Sequence, residues 1–584
     1  MVLPSTERAL ALDLAFGDPT RPESLLSHAA AVEADEREEF PTEACTFLHR
    51  QGIFDMLVPR EHGGAMGAFD ELLFTCRMIA RRDLTATVAT GHTLLGAFPL
   101  WIAGDPSGCA RLGARIMGGG LGCLALTEEG HGSDLQATET VARREGDGLH
   151  LDGTKWVIQN ATRGATMTLL AKTDGAHGPE LSLLLLDKND LARDRYENLA
   201  KIATYGIRGA DISGIRFHDC VVPHDSIVGR LGSGYLVTLL TLQISRVVVP
   251  AFSLGCADTA LRATLDFALE RHIYGQTVAD FGSARAQLVG AFADLLACEC
   301  VAMGAARASH LIPEQLSVWS AVSKYFVPVT VESIIRTCAT VLGARYYLRR
   351  HHRWGMFQKV LRDHAVVPLF DGSTAVNLAV LGAQLNALTA HRTSTRAVSD
   401  DRREKLAHVF DWSAPIAPSP SIRLPAMRLI NSGEDDLLMS LHAAANEVSS
   451  RADVAPSVRG AIEGTLGSLV DALEELDREV TRLRERSDFD PSTETRFELA
   501  SRYCVLHAAA AAVRTWLDNR DRLGAFAASG DWITLVLERL CTAAGRRPPE
   551  WTDRAQTAER VWAELTRMHE ERRLFSLARF ELAR

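Results

Sequence analysis

Ten consecutive residues, Ala125-Leu126-Thr127-Glu128-Glu129-Gly130-His131-Gly132-Ser133-Asp134, concentrate usable chemistry in this 584-residue chain. An apolar, strand-like lead-in delivers a hydroxyl (Thr127), an acid, and then a Gly-Ser-Asp turn with a second hydroxyl (Ser133). Such a loop offers backbone N–H groups and two hydroxyls to a polar, phosphorylated ligand. The same string also fits a plain hairpin loop, so the surrounding elements must decide. Metal chemistry has less support. The eleven cysteines are scattered, with no C-x-x-C pair and no histidines at zinc-ligand spacing. Cys298 and Cys300 sit two apart on a helical pattern and point to different sides. All eleven read as reduced thiols of a cytoplasmic protein without a metal site.

The elements that must position this loop fall into an ordered series. Residues 1–121 are helical in pattern, with apolar and charged residues at helical spacing over 25–52 and 72–80. Pro59, Gly63 and Gly64 break the stretch between them into a loop. Over 122–233 the period changes. Short apolar runs at 149–151, 155–158, 167–171, 181–186 and 215–217 are parted by Gly, Asp and Asn turns. Regular short strands of this kind predict a small β-barrel or sandwich. From 234 to 395 long amphipathic helices return, over 247–271, 283–310 and 318–342.

Helix, sheet, helix in one chain is a layered α+β architecture: an N-terminal helical domain, a central β-barrel and a C-terminal helical bundle. A linker follows over 396–421, whose prolines at 415, 418 and 420 favour extended backbone. Residues 422–584 are helical again, an extra all-α domain long enough for a core of its own, supplied by 466–483 and 505–517. Its charged run 471–486 reads as a solvated face, and His507, ahead of the alanines 508–512, as a core residue.

Composition narrows the function classes. A net charge of −10 with no strongly basic segment argues against nucleic acid as a partner. Hydrophobic residues at 47% and charged ones at 23% are ordinary globular values. No run of about eighteen apolar residues stands out, so no transmembrane segment is expected. The first eight residues lack the basic-then-apolar order of a secretory signal.

Over roughly 25–395, the order of elements and several local strings resemble the acyl-CoA dehydrogenase family. In that family a Thr-Glu-x-x-x-Gly-Ser-Asp loop opens the β-domain and cradles FAD. The resemblance therefore assigns Leu126, Thr127, Gly132 and Ser133 to the cofactor, with Gly132 allowing close backbone approach. His131 replaces a small residue and reads as structural or solvent-facing rather than catalytic. The string 153–160 is similar to the strand beside the flavin ring, which assigns Val157 and Gln159. The ring-packing aromatic usual at Val157 is missing, and Trp156 could replace it only through a change of register.

Arg271-His272-Ile273-Tyr274-Gly275-Gln276 resembles the string whose arginine reaches the FAD diphosphate of a neighbouring subunit, with Tyr274 packing on the cofactor. Thr340 and Gly343 fall on the adenine side, where the family has a glutamine and glycines. Leu369-Phe370-Asp371-Gly372-Ser373-Thr374 resembles the string that carries the catalytic glutamate, preceded by an Arg-Asp pair matched here by Arg362-Asp363. Asp371 thereby becomes the base, Ser373 a cofactor contact, and Gly372 and Arg246 substrate contacts. Some members place the base just before an arginine on an earlier helix, which here is Ser245, not an acid.

The function implied is FAD-dependent α,β-dehydrogenation of an acyl thioester, on coenzyme A or an acyl carrier protein. Electron-transfer flavoprotein or oxygen would accept the electrons, and a homodimer or homotetramer is implied. An aspartate is shorter than glutamate by about 1.5 Å, enough to cost about 10²-fold unless the backbone compensates. It also keeps open a nitroalkane-oxidase-like flavin oxidase that returns electrons to oxygen, or a catalytically lapsed member acting as a scaffold. The basic cluster 349–353 reads either as a solvated loop or as an anchor for phosphates or an acidic carrier.

Overall fold

Asp83 separates two N-terminal helices. Phe69–Arg82 ends before it, and its carboxylate accepts the Thr85 N–H at 3.0 Å to cap Leu84–Ala103. Lys359, on the Met356–His364 helix, holds the same carboxylate at 2.6 Å and ties the N-terminal helices to the second helical layer. The computed structural model describes residues 3–584 apart from 147, 176–177, 351–352, 396–397, 418–426 and 487–493, and apart from the side chain of 354.

The middle layer has seven strands: β1 (Gly122–Ala125), β2 (Val141–Glu145), β3 (Gly148–Gln159), β4 (Thr166–Gly175), β5 (Gly178–Asp187), β6 (Tyr196–Leu199) and β7 (Ile212–Pro223). β5 pairs antiparallel with β4, while β1 and β2 join β4 in parallel. From β2 the sheet continues antiparallel through β3, β7 and β6. Alternation sets the faces. Met167, Leu169 and Ala171 of β4 enter a core completed by Leu151, Leu186 and Phe217 from β3, β5 and β7. Leu170 and Leu183 face the other way, into the helices. The strands thus wrap a core of their own, the barrel-like unit that the turn spacing predicts. The runs at 149–151 and 155–158 prove to be one strand, bent at Gly153. Its φ is +138°, and a Cβ there would lie 2.7 Å from Thr140 Cα.

Helices Gly234–Val248, Pro250–Glu270, Gly282–Leu311, Leu316–Leu342 and Thr374–Ser394 form the second helical layer. Pro250 starts its helix at a position where the missing N–H costs nothing, and so divides the stretch expected over 247–271. Three stretches, Gly234–Glu270, Gly282–Leu311 and Pro313–Tyr347, are long and apolar enough to cross a membrane by length and composition. Single charges such as Arg246, Asp258 and Glu299 interrupt them, which is why no unbroken apolar run is visible in the sequence. In Gly282–Leu311, 94% of the most apolar window is buried inside the protein.

The region beyond 396 departs most from expectation. Asp400–Phe410 is a helix, Trp412 is fully buried, and Arg307 donates to the carbonyls of His408, Val409, Asp411 and Ala414. The described part of 396–421 is therefore packed structure, not a spacer; residues 396–397 and 418–421 lie outside the described part. Arg307 holds the chain as far as Ala414; of the three prolines only Pro415 lies among the described residues, and 415–417 form neither helix nor strand. Helices Pro456–Glu485, Glu494–Asn519, Asp531–Ala543 and Arg554–Glu570 share one continuous core with the preceding helices, so 422–584 does not close over its own. His507 is buried beside Trp319, a core residue as read.

Residues 572–583 reach back furthest. Arg572 pairs with Asp18, the Phe575 N–H donates to Asp258 (3.0 Å), and the Ala583 N–H donates to Asp13 (2.8 Å). The Leu577 N–H and the Ser576 hydroxyl donate to Glu299, whose other partner is Arg77 at 2.6 Å. Arg77 and Glu299 are both fully buried, a placement that is tolerable only when further hydrogen bonds complete the pair.

Candidate active site

A cavity of about 880 Å3 opens where the three layers meet. The β-layer contributes Leu126, Thr127, Gly132 and Ser133 from the loop after β1, and Val157 and Gln159 from β3. The helical layer contributes Arg246 from Gly234–Val248, then Asp371, Gly372 and Ser373 ahead of Thr374–Ser394. Ten residues singled out in the sequence therefore share one cavity. Four others do not line it. Arg271 and Tyr274 belong to a small hairpin of His272–Ile273 and Gln276–Thr277. Its two turn residues are left-handed, Tyr274 at φ +52° and Gly275 at +84°, a pattern tight hairpins favour, and Tyr274 is 96% exposed at the tip. Thr340 and Gly343 are exposed at the end of Leu316–Leu342.

One saturated carboxylate holds the β-side loop. Glu128 accepts from Lys155 Nζ (2.8 Å), from the Thr140 hydroxyl (2.6 Å) and N–H (3.0 Å), and from the Glu139 N–H (2.7 Å). Burial pushes the Glu128 carboxyl up, but these donors outweigh it and hold the group at about 2. Burial pushes Lys155 down to about 8 against the pull of Glu128. Glu128 and His131 exchange backbone hydrogen bonds at 3.0 Å, which closes the turn ahead of Gly132 and Ser133. His131, with Nε2 3.5 Å from Glu139, has the structural role expected. Glu128, His131 and Glu139 each bring a ligand atom within 4.8 Å of the others, but Glu128 is already filled by donors and faces a lysine. The arrangement suits hydrogen bonding better than a cation.

On β3 the Trp156 N–H donates to Thr127 O at 3.0 Å. Val157 follows at φ +58°, and the β3–β7 register shifts across it. The register change does occur, yet Val157 and not Trp156 lines the cavity. A β-branched residue in that conformation is strained, as backbone at ligand sites often is. Gln159 Nε2 donates to Asn160 Oδ1 (2.8 Å), while its buried Oε1 has no partner among the described residues. A Cβ on Gly132 would meet nothing within 4 Å. An orphaned acceptor, two hydroxyls and open space at a glycine fit a cofactor such as FAD, which would supply the missing donor.

Across the cavity, Asp371 and Gly372 form a left-handed pair, φ +56° and +96°. The φ of Gly372 strains any side chain, and a Cβ there would also fall 2.5 Å from Arg246 Nη2 and displace the guanidinium. Neighbours hold the strained turn by its carbonyls. Arg246 Nε donates to Asp371 O (3.0 Å) and Asn377 Nδ2 to Gly372 O (2.9 Å). Lys324 Nζ donates to Val367 O (2.8 Å) and Gly372 O (3.4 Å). Burial lowers Arg246 to about 10, opposed by the Asp371 charge. Ser373 Oγ accepts the Val376 N–H at 3.4 Å and caps Thr374–Ser394. Phe370 packs against Phe252 and His92, with ring centres 6.3 and 5.8 Å apart. Asp371 is the one carboxylate among the described residues that line the cavity. Ser245 is buried, and its hydroxyl donates to Leu242 O.

Sequence reasoning missed Lys324, His92, Asn377, Leu429 and Ile430. A signal existed for two of them. Lys324 is the sole charge over 316–331, and His92 the sole ionisable residue of Leu84–Ala103. An isolated ionisable group on an apolar helix is rarely idle. Leu429 and Ile430 had none, since they come from beyond the expected linker. Gln243 Nε2 holds Arg428 O (2.9 Å), and Gln384 accepts the Asn431 N–H (3.0 Å), which sets the pair at the cavity edge. The C-terminal region thus supplies part of the cavity wall. Arg349, Arg350 and Arg353 of the basic cluster do not line this cavity. Arg349 pairs with Glu36, Arg350 with Glu33, and Arg353 with Asp266 and Glu270, while His351 and His352 lie outside the described residues. Arg362 pairs with Asp35, and Asp363 accepts the Ile207 N–H, so both act as fasteners behind the loop.

Known proteins divide along the same lines. Residues 23–141, 123–220 and 232–386 match the N-terminal, middle and C-terminal domains of acyl-CoA dehydrogenase. The probable acyl-CoA dehydrogenase FadE25 of Mycobacterium tuberculosis is 27% identical over 362 residues, 61% of this chain and 90% of its own. The human mitochondrial short-chain specific acyl-CoA dehydrogenase is 28% identical over 370 residues, 61% of this chain and 85% of its own. The crystal structure of an acyl-CoA dehydrogenase complexed with FAD from Bacillus anthracis has a TM-score of 0.64 at 18% identity. It covers 94% of this chain and 88% of that one, which takes the shared fold through the C-terminal helices.

Proposed function

Because the chain belongs to the acyl-CoA dehydrogenase family, we propose that it removes the α- and β-hydrogens of an acyl thioester carried on coenzyme A or a carrier protein, with FAD as cofactor. It is an oxidoreductase acting on CH–CH bonds. Asp371 carries the finer reading: the one carboxylate among the described residues that line a largely apolar cavity sits on a left-handed turn, opposite the hydroxyls of Thr127 and Ser133. Asp371 takes the α-proton on its carboxylate, and its backbone N–H polarises the thioester carbonyl. FAD, when bound, would supply the hydride acceptor for the β-hydrogen. Thr127 and Ser133 donate hydrogen bonds to the cofactor, and Gln159 Oε1 accepts one. Val88, Leu95, Leu242 and Leu429 exclude water from the reacting atoms.

Arg271, Tyr274, Thr340 and Gly343, exposed and away from this cavity, serve the cofactor of a neighbouring copy in a homodimer or homotetramer. A guanidinium fork there suits a diphosphate. Electrons pass on to electron-transfer flavoprotein or to oxygen. A cytoplasmic location agrees with eleven free cysteines. The test is anaerobic mixing of FAD-loaded protein with a panel of acyl-CoA and acyl-carrier thioesters. At least one should bleach the oxidised flavin, and slow reoxidation by oxygen would set a dehydrogenase apart from an oxidase. No bleaching with any thioester would sink the proposal.

A further inference from the structure

Lys324 is 1% exposed, and among the described residues its hydrogen bonds go to carbonyls rather than to an acid. It contacts the loop on both sides of Asp371: Val367 O at 2.8 Å before it, Gly372 O at 3.4 Å after it, and the Phe370 ring centre at 5.3 Å. In this loop Arg246 donates only to Asp371 O among the described residues, while its guanidinium packs on Gly372, and Asn377 donates only to the carbonyls of Gly372 and Ser373. Lys324 alone of the three ties the start of the loop to its end. A buried ammonium is costly, and an apolar residue of similar length would fill the space without that cost.

Resting on the reading of Asp371 as the base, we infer that Lys324 is a positioning residue: its ammonium clamps the left-handed Asp371–Gly372 turn and sets a positive charge behind the carboxylate. The groups facing it come from several elements. Arg246 and Asp371 lie toward the cavity. His364 stands behind, its Nε2 3.0 Å from Ser253 Oγ, and His92 lies across Phe370. Burial pushes Lys324 down to about 7, with Asp371 opposing and Arg246 reinforcing the shift. Burial, helped by Lys324, takes His364 to about 3 and keeps it neutral. Burial also lowers His92, against the Asp371 charge. Near neutrality Lys324 is therefore the titrating charge behind the turn, and its protonated fraction falls as pH rises through about 7.

Three variants of the full, FAD-loaded chain separate its roles. Lys324→Met removes donors and charge, Lys324→Gln keeps a donor without the charge, and Lys324→Arg keeps both. With a thioester that the wild type oxidises, the Met variant should reduce its flavin about 10- to 100-fold more slowly, as expected for a base misplaced by roughly 1 Å. Substrate affinity and flavin content should stay within about threefold. The acid limb of the rate profile should move to higher pH in the Met and Gln variants but not in the Arg variant, because a nearby positive charge favours an ionised carboxylate.

A merely structural lysine would lower melting temperature and flavin content without moving that limb, and that result overturns the inference. Should the Met variant fail to fold, the Gln and Arg pair decides: equal acid limbs overturn it. A wild type that no thioester reduces overturns the reading of Asp371 and this inference together. Wild-type turnover with unaltered variants overturns this inference alone.

Discussion

Glu128 and Asp371 are both acids set against a buried lysine, one behind each wall of the same cavity, and they are built for opposite ends. Around Glu128 the donors meet the side chain: a lysine, a hydroxyl and two backbone N–H groups all reach its carboxylate. Around Asp371 they meet the backbone, where Arg246, Lys324 and Asn377 grip the carbonyls of residues 367–372. The first arrangement makes a scaffold that cannot give up its charge near neutrality. The second fixes the turn and leaves the acid itself to the cavity. Which atoms of an acid receive hydrogen bonds, more than which acid it is, separates a reagent from a rivet.

Removing each carboxyl in turn tests that contrast. Asp371→Asn should slow flavin reduction by about 10²- to 10⁴-fold, the usual range for losing a general base, with thioester binding retained. Single-turnover reduction at saturating thioester measures it, and a normal rate would place the base elsewhere. Asp371→Glu is the companion, and a faster rate than wild type would mean that the pocket still fits a longer acid. Glu128→Gln should act on retention and not on chemistry. It should weaken FAD binding by roughly 1–3 kcal/mol, the cost of an incompletely paired buried group. The rate per bound flavin should change by less than about threefold. Full flavin content with a lost chemical step would erase the distinction between the two acids.

Acid should separate them next. The folded carboxyl of Glu128 sits at about 2, below its ordinary 4.5, so its contribution to stability is complete above about 4.5 and fades as pH falls toward 2. The melting-temperature gap between wild type and Glu128→Gln should therefore shrink over that window, and a constant gap would show that the charge is not what holds the loop. The smallest effect is expected at the rim. Ile430→Ala should raise KM for long acyl thioesters by about two- to fivefold, the size of a partly buried aliphatic contact, and leave the limiting rate alone. An unchanged chain-length profile would remove Ile430 from the substrate path.

The layers were legible in the sequence because the apolar period changes from that of a helix to that of a strand and back. The β-side of the cavity was legible for a related reason: Thr127, Gly132 and Ser133 line it from one loop contiguous in sequence. Lys324 stood out as the sole charge over 316–331, but its role did not, because its partners lie 43 and 48 residues away, a separation no local pattern reports. The prolines near residue 415 carried no sign of the helix Asp400–Phe410 ahead of them, nor of Arg307, about a hundred residues earlier, which holds the carbonyls of Asp411 and Ala414. Arg271 and Tyr274 were recognisable as a motif. Their place in this chain is an exposed hairpin, since what they contact in the proposed assembly belongs to another copy.

The return of residues 572–583 to the N-terminal helices has a consequence for biosynthesis. Asp13 waits for the Ala583 N–H, 570 residues downstream, and Asp18 for Arg572, 554 downstream. At ribosomal speeds of roughly 5–20 residues per second, that interval is on the order of half a minute to two minutes. Until it ends, Glu299 and Asp258 lack the Leu577 and Phe575 N–H groups that complete their burial. Completing these contacts requires the 572–583 segment, and apolar surface left unfinished in the interval is the kind that aggregates or binds a chaperone. Helices made early in this sequence thus wait on residues made hundreds of positions later.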